Sequence, residues 1–400
     1  MKVSVVGIGP GGNDYFTAKA IEIIEKANIV LTSKRLKEEL CHFNTNMVQM
    51  GVMASCDYIN QNKDKDLWVC VAASGDVGFY SIATTIRKNL DAGVDIEFIS
   101  GISSFQYFTA RLNIGYEDIK LVSLHGRNGN IVPFVSYNKI VFTLTGGSLK
   151  VKDVVNQLIE QKLTDVTIYV GENLSSKSER IVSGTPYDLE DMEFDDLSVM
   201  IVNNENYVNP RNRLKDEAFL RGKSPMTKEA VRTLSVEALE ISKTDVVYDI
   251  GAGTGSVTIA MARKAEESMV YAIEKEEHAV ELIEKNIEKL GSYNIKVIRE
   301  TAPLGMDNLP APDKVFIGGS TGRLKDIVDI VISKNPCATF VVNAVTIETI
   351  TAVTDLFAKM NFETEIICVN ISKGEKLGRY NLMKAENPVY IIKGARANEK

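Results

Sequence analysis

A run of β-branched and aromatic residues, Val246-Val247-Tyr248-Asp249, feeds directly into Gly251-Ala252-Gly253-Thr254-Gly255, and an apolar helical pattern opens at Val257. Strand, glycine turn, helix is a narrow combination. It brings a backbone free of Cβ atoms to the mouth of a sheet, where a ligand can approach closely. A second turn of this kind, Gly7-Ile8-Gly9-Pro10-Gly11-Gly12, follows the strand-like Val3-Ser4-Val5-Val6. One such turn in each half of a 400-residue chain calls for two α/β units, each with its own core.

The alternation of short strands and helical stretches supports that division. In the first half, strands are expected at 29–31, 67–72, 96–99, 139–145, 166–171 and 197–202, with a helix over 15–27. The polar stretch Asn203-Asn204-Glu205-Asn206-Tyr207-Val208-Asn209-Pro210 then breaks the pattern, which predicts domains at 1–205 and 206–400. In the second half, strands are expected at 246–249, 269–273, 296–298, 314–317 and 339–343. Helices are expected at 257–265, 278–290 and 324–334. Two closing antiparallel strands, 364–371 and 388–392, should be joined by a polar loop.

Composition removes several classes of function. No apolar run approaches the roughly 18 residues that cross a bilayer, and the amino terminus enters a strand with no signal-peptide pattern. Five scattered cysteines without Cys-x-x-Cys spacing, and only three histidines, argue against a zinc site and for a reducing cytoplasm. A net charge of −7 argues against a broad nucleic-acid footprint, though not against a local basic pocket.

Two cofactors use a glycine turn of this kind, NAD and S-adenosylmethionine. Here the spacing is G-x-G-x-G, with Asp249 two residues ahead of Gly251 and Glu274 ending the next strand. Glu274 is placed to bridge ribose hydroxyls. Asp249 would repel a pyrophosphate but attract the ammonium of a methionine moiety, so the spacing favours S-adenosylmethionine. The expected cofactor contacts are Asp249, Gly251, Ala252, Gly253, Thr254, Gly255 and Glu274. The strand ending at Ile317 leads into Gly318-Gly319-Ser320, a glycine-rich turn with no Asn-Pro-Pro-Tyr; it suits a bulky substrate lying close to the backbone.

Gly7 to Gly12, Ser74-Gly75-Asp76-Val77-Gly78-Phe79-Tyr80, Gly101 to Ser104, Ser123 to Arg127 and Val170 to Leu174 together resemble the tetrapyrrole (corrin/porphyrin) methylases. Within that family they are similar to the cobalamin-pathway branch that methylates C5. Val77 stands where the family usually has proline. The segment Asp216 to Arg232, the second glycine turn, Phe316 to Ser320 and Asn343 to Thr346 resemble the decarboxylating C15 methyltransferases of the same pathway. There the family commonly places an acid where Thr301 stands.

The resemblance implies an α/β chain in which a two-subdomain tetrapyrrole methylase fold precedes a Rossmann-like class I methyltransferase fold. It implies C-methylation of a precorrin or cobalt-precorrin at C5 and C15, with loss of the ring C acetate carboxyl. It also implies one S-adenosylmethionine per domain and self-association. Gly9, Pro10, Gly75, Asp76, Ser103 and Ser104 would line the first cofactor cleft, and Thr227 and Ala302 would join the second. His125 and Arg127 could face the first substrate site; Arg221, Lys228, Gly318, Gly319 and Ser320 the second. No residue is singled out as proton donor. A tandem NAD-dependent oxidoreductase, or an RNA methyltransferase with an N-terminal binding module, remains open from the residues alone.

Overall fold

The computed structural model describes residues 1–122, 124, 129–146, 149–223, 225–319 and 322–396. Two compact units divide the chain. One comprises Met1–Gly129, Ile140–Asn156 and Thr167–Asn203; the other takes Asn130–Lys139, Gln157–Val166 and everything from Asn204 onwards.

The first unit holds two five-stranded sheets. Strands β1 (Lys2–Gly7), β2 (Ile29–Thr32), β3 (Met47–Gln49), β4 (Trp68–Ala73) and β5 (Asp95–Ile99) form an all-parallel sheet in the order β3-β2-β4-β1-β5. Both faces are covered, as a parallel sheet requires. Val69 and Val71 of β4 turn to a core with Cys56, Ile59 and Ile86, whereas Cys70 and Ala72 turn to one with Ile23, Ile24, Leu36 and Leu40. This period of two explains why the central strands read as continuous apolar runs.

The second sheet has the order β6-β7-β10-β8-β9, with β6 (Ile119–Val122), β7 (Ile140–Leu144), β8 (Thr167–Glu172), β9 (Arg180–Gly184) and β10 (Ser198–Asn203). Only the β6–β7 pair is parallel. Helix Ser104–Arg111 packs against this sheet, with Phe105, Tyr107 and Phe108 in one cluster with Phe142, Val199 and Ile201. Gly171 on β8 has no room for a side chain, because a Cβ there would sit 2.7 Å from the Phe108 ring.

In the other unit, β11 (Val247–Ile250), β12 (Val270–Ile273), β13 (Ile295–Ile298), β14 (Lys314–Ile317), β15 (Thr339–Ala344), β16 (Phe362–Val369) and β19 (Val389–Arg396) form one sheet, in the order β13-β12-β11-β14-β15-β19-β16. The first five in that order run parallel, and the β15–β19 and β19–β16 pairs are antiparallel. Strand order reverses between β11 and β14, the place where open α/β sheets bind ligands beyond their carboxyl ends. Helices Glu229–Ala238, Ser256–Lys264 and Glu277–Leu290 supply the core on one face, and Leu324–Lys334 and Ile347–Lys359 that on the other.

The expected polar loop between the closing strands is itself structured. β17 (Ser372–Leu377) and β18 (Tyr380–Ala385) pair as an antiparallel ribbon in which every residue is exposed. Its charged and glycine residues hid a strand that buries neither face. The first unit thus contains an all-parallel sheet and a mixed one, and the second a Rossmann-like, doubly covered sheet that ends in two antiparallel strands.

Candidate active site

A cavity of about 870 Å³ opens at the carboxyl ends of β11, β12, β14 and β15. Its floor is the glycine turn. Gly251 adopts φ +74°, and a Cβ there would lie 2.7 Å from the Gly319 carbonyl oxygen, so only glycine lets the turns after β11 and β14 approach this closely. Ala252, Gly253 and Thr254 continue the wall, while Gly255 caps helix Ser256–Lys264 in a left-handed conformation and does not line the cavity.

Two carboxylates serve this turn differently. Glu274, at the end of β12, accepts the Gly253 N–H through Oε2 at 2.8 Å and the Lys275 and Glu276 N–H groups through Oε1 at 2.9 and 3.0 Å. With about four lone-pair sites on a carboxylate and three taken, Oε2 can hold the turn and still accept from one hydroxyl of a vicinal diol. Asp249 is wholly buried. Its Oδ2 accepts from the Thr258 hydroxyl, and its buried Oδ1 has no hydrogen-bond partner among the described residues. Burial, and secondarily the charge of Glu274, pushes the Asp249 carboxyl up to about 7. A buried acceptor without a partner costs about 1–3 kcal/mol, and a ligand cation reaching Oδ1 would recover that cost.

The opposite wall is the segment Pro225, Met226, Thr227 and Lys228. It is anchored by Arg232, which is 2 % exposed. The guanidinium donates to Asp216 Oδ1 at 3.1 Å, to the Thr227 carbonyl at 2.9 Å and to the Leu214 carbonyl at 2.6 Å, and it lies 4.8 Å from the Phe219 ring. Arg232 thus belongs to the scaffold. Ala302, Gly318, Gly319, Thr227 and Lys228 all line the cavity; Arg221 is exposed and does not. Ser320 lies outside the described residues. Lys275 after β12, Asn343 on β15, and Glu386 and Asn387 between β18 and β19 also line the wall.

In the other unit the turns after β1, β4 and β5 converge. Gly9 and Gly75 exchange backbone hydrogen bonds at 3.1 and 2.7 Å. A Cβ on Gly7 would stand 2.7 Å from the Gly75 carbonyl oxygen and 2.8 Å from the Gly101 nitrogen. Asp76 fastens the cluster, accepting the Gly78 N–H through Oδ1 at 2.8 Å and the Gly101 N–H through Oδ2 at 3.0 Å. Ser175 Oγ donates to the Gly11 carbonyl at 2.6 Å and tethers the turn containing Pro10.

Ser103 is buried and spent on a capping box with Gln106, Oγ accepting the Gln106 N–H at 3.1 Å and the Ser103 N–H donating to Gln106 Oε1 at 2.9 Å. Ser104 beside it is half-buried. His125 and Arg127 lie outside the described residues.

A family model for tetrapyrrole (corrin/porphyrin) methylases matches residues 2–190, and one for a precorrin methyltransferase domain matches 217–396. A probable cobalt-precorrin-6B C(15)-methyltransferase (decarboxylating) of Pyrobaculum calidifontis is 34% identical, over 45% of this chain and 93% of its own length. Its counterpart in Saccharolobus solfataricus is 37% identical, over 48% of this chain and 98% of its own length. A precorrin-6Y C5,15-methyltransferase structure from Geobacter metallireducens aligns with 34% identity and a TM-score of 0.44, over 46% of this chain and 97% of that one. The chain belongs to the precorrin methyltransferase family through its second half, carries a tetrapyrrole methylase domain in its first, and is an S-adenosylmethionine-dependent methyltransferase.

Proposed function

We propose that the chain methylates a precorrin or cobalt-precorrin at C5 and C15 and removes the carboxyl of the ring C acetate, on the way to cobalamin. The domains 1–205 and 206–400 would each bind one S-adenosylmethionine. The observation that carries the reading is the unpartnered, buried Asp249 Oδ1 at the edge of a cavity floored by glycine. A methionine ammonium fits that oxygen, and a ribose diol fits Glu274.

Bound S-adenosylmethionine supplies an electrophilic methyl group; the macrocycle supplies the nucleophilic carbon. The residues then need only hold the partners in line. Asp249 and Glu274 fix the two ends of the cofactor, and the Gly318–Gly319 turn leaves room for a flat ring against the backbone. Alignment of this kind can lower a barrier by roughly 7 to 11 kcal/mol. Lys228, on the opposite wall, suits a substrate carboxylate. In the first unit, Asp76 ties the turn carrying Gly75 to the one that leads to Ser104, and the Gly9–Gly75 backbone pair ties in the turn carrying Pro10, an arrangement that a second cofactor would use.

We further place the enzyme in the cytoplasm, where its five unpaired cysteines suit reducing conditions, and read it as a homo-oligomer. The exposed Leu377, Tyr380, Leu382 and Met383 of the β17–β18 ribbon support self-association. Light scattering of the chain with and without 372–385 tests that part. The main test is incubation with labelled S-adenosylmethionine and metal-free or cobalt-bearing precorrin. Two methyls transferred and one carbon dioxide released per macrocycle are expected; transfer without carbon dioxide would refute the decarboxylating assignment.

A further inference from the structure

Asn343 is the penultimate residue of β15, one step beyond the register pair Ile317–Val342 and therefore level with Gly318. Alternation along the strand sends it to the same face as Val341, the face covered by helix Glu229–Ala238. On that helix Ser235 is fully buried, and its Oγ donates to Asn343 Oδ1 at 3.0 Å, sharing its proton with the Val231 carbonyl at 2.8 Å. A buried hydroxyl thus engages the amide oxygen. The amide nitrogen has no hydrogen-bond partner among the described residues, and Asn343 lines the cavity together with Gly318, Gly319 and Val345. Two N–H donors of fixed orientation are left at the carboxyl end of β15.

Strand order decides what they meet. Asp249 on β11, and Gly251, Glu274 and Ala302 on the turns after β11, β12 and β13, lie on one side of β14. Asn343 sits on the other side, beyond the Gly318–Gly319 turn. We propose that Asn343 is a substrate-binding residue whose amide donates to a carboxylate of the macrocycle, with Ser235 as the positioning residue that orients it. The inference rests on the methyl-transfer reading above and adds to it the group that recognises one acidic side chain. An amide suits this position because it binds an anion without a formal charge, so the substrate's registration depends on direction as well as on attraction.

The test uses the full chain and Asn343→Ala, Asn343→Asp and Ser235→Ala variants. Titration with S-adenosylhomocysteine comes first; its failure in the unaltered chain would sink the underlying cofactor reading and not this inference. Given binding, each variant should keep its affinity within about twofold, which also shows that the cavity is folded. For C15 methylation, Asn343→Ala should raise the precorrin KM by about 10- to 100-fold, the loss expected of a hydrogen bond to a charged group. Asn343→Asp should raise it further, because a second carboxylate replaces the donors, and Ser235→Ala should raise it less, with kcat changed less than KM. An unchanged KM in Asn343→Asp overturns the proposal. A loss of S-adenosylhomocysteine affinity parallel to the loss of precorrin affinity also overturns it, since Asn343 would then hold the cofactor.

Discussion

Glu274 and Gly253 are joined by a 2.8 Å hydrogen bond from backbone nitrogen to carboxylate, so the acid ending β12 and the turn following β11 form a single structural element. Glu274→Ala removes the partner of three backbone N–H groups as well as the acceptor for a ribose diol. Calorimetry should show S-adenosylhomocysteine affinity in the second unit reduced at least about tenfold, since hydrogen bonds to a charged group contribute about 1.5–3 kcal/mol each.

Asp249 makes cofactor binding depend on pH. Its carboxyl is raised to about 7 in the folded chain, from 3.8 when unfolded. Binding an ammonium requires the ionised form, so affinity should be level above pH 7 and fall about tenfold per pH unit below it, with a proton released on binding near neutrality. Titration in buffers of different ionisation enthalpy measures that proton. The sign for stability is opposite. A raised carboxyl favours the protonated folded state, so stability conferred below pH 4 is lost as pH rises from near 4 to about 7. Asp249→Asn should therefore melt no lower than the unaltered protein at pH 8 while losing cofactor affinity.

Gly251→Ala should cost both fold and function. A left-handed backbone at a non-glycine residue costs roughly 1–2 kcal/mol, and the added methyl meets the Gly319 carbonyl at 2.7 Å, so the turns after β11 and β14 must separate. A lower melting temperature together with lost S-adenosylhomocysteine binding is expected in thermal shift and calorimetry.

Arg232→Met leaves Asp216 buried without its partner, although Lys373 stays 3.9 Å from the other oxygen. Breaking a buried pair in this way costs about 3–5 kcal/mol. Denaturant unfolding of the single variant and of Arg232→Met with Asp216→Asn should show the double change to be the milder one.

Asp76→Ala unfastens the first unit's converging turns and leaves the second unit's cavity intact. S-adenosylhomocysteine stoichiometry should fall from two per chain to one, with C5 methylation lost and C15 methylation kept.

Much of this was legible because glycine turns and their flanking acids are local features. Asp249, Gly251 and Glu274 could be placed from spacing, since a strand, a tight turn and a helix leave little freedom. Long-range pairings were not legible. Ser235 and Asn343 are separated by 108 residues and meet only because β15 lies under helix Glu229–Ala238. The burial of Arg232 was not legible either, for nothing in its sequence neighbourhood announces the Asp216 and Leu214 contacts that enclose it. Ser103 did carry a readable sign, the S-x-x-Q of a capping box, which commits its hydroxyl to a helix terminus before any ligand arrives. The short helices Lys34–Leu40 and Val52–Gln61 escaped notice because neither spans enough turns for its apolar period to stand out.

Where Gly7, Gly75 and Gly101 crowd together, there are no side chains to exchange, only peptide groups packed on peptide groups. Such a junction offers mutation no small steps: at Gly7 and Gly101 any replacement adds atoms to a filled space, and at Gly75 it meets a left-handed backbone. Substitutions that change what this unit accepts are therefore expected around the junction rather than within it.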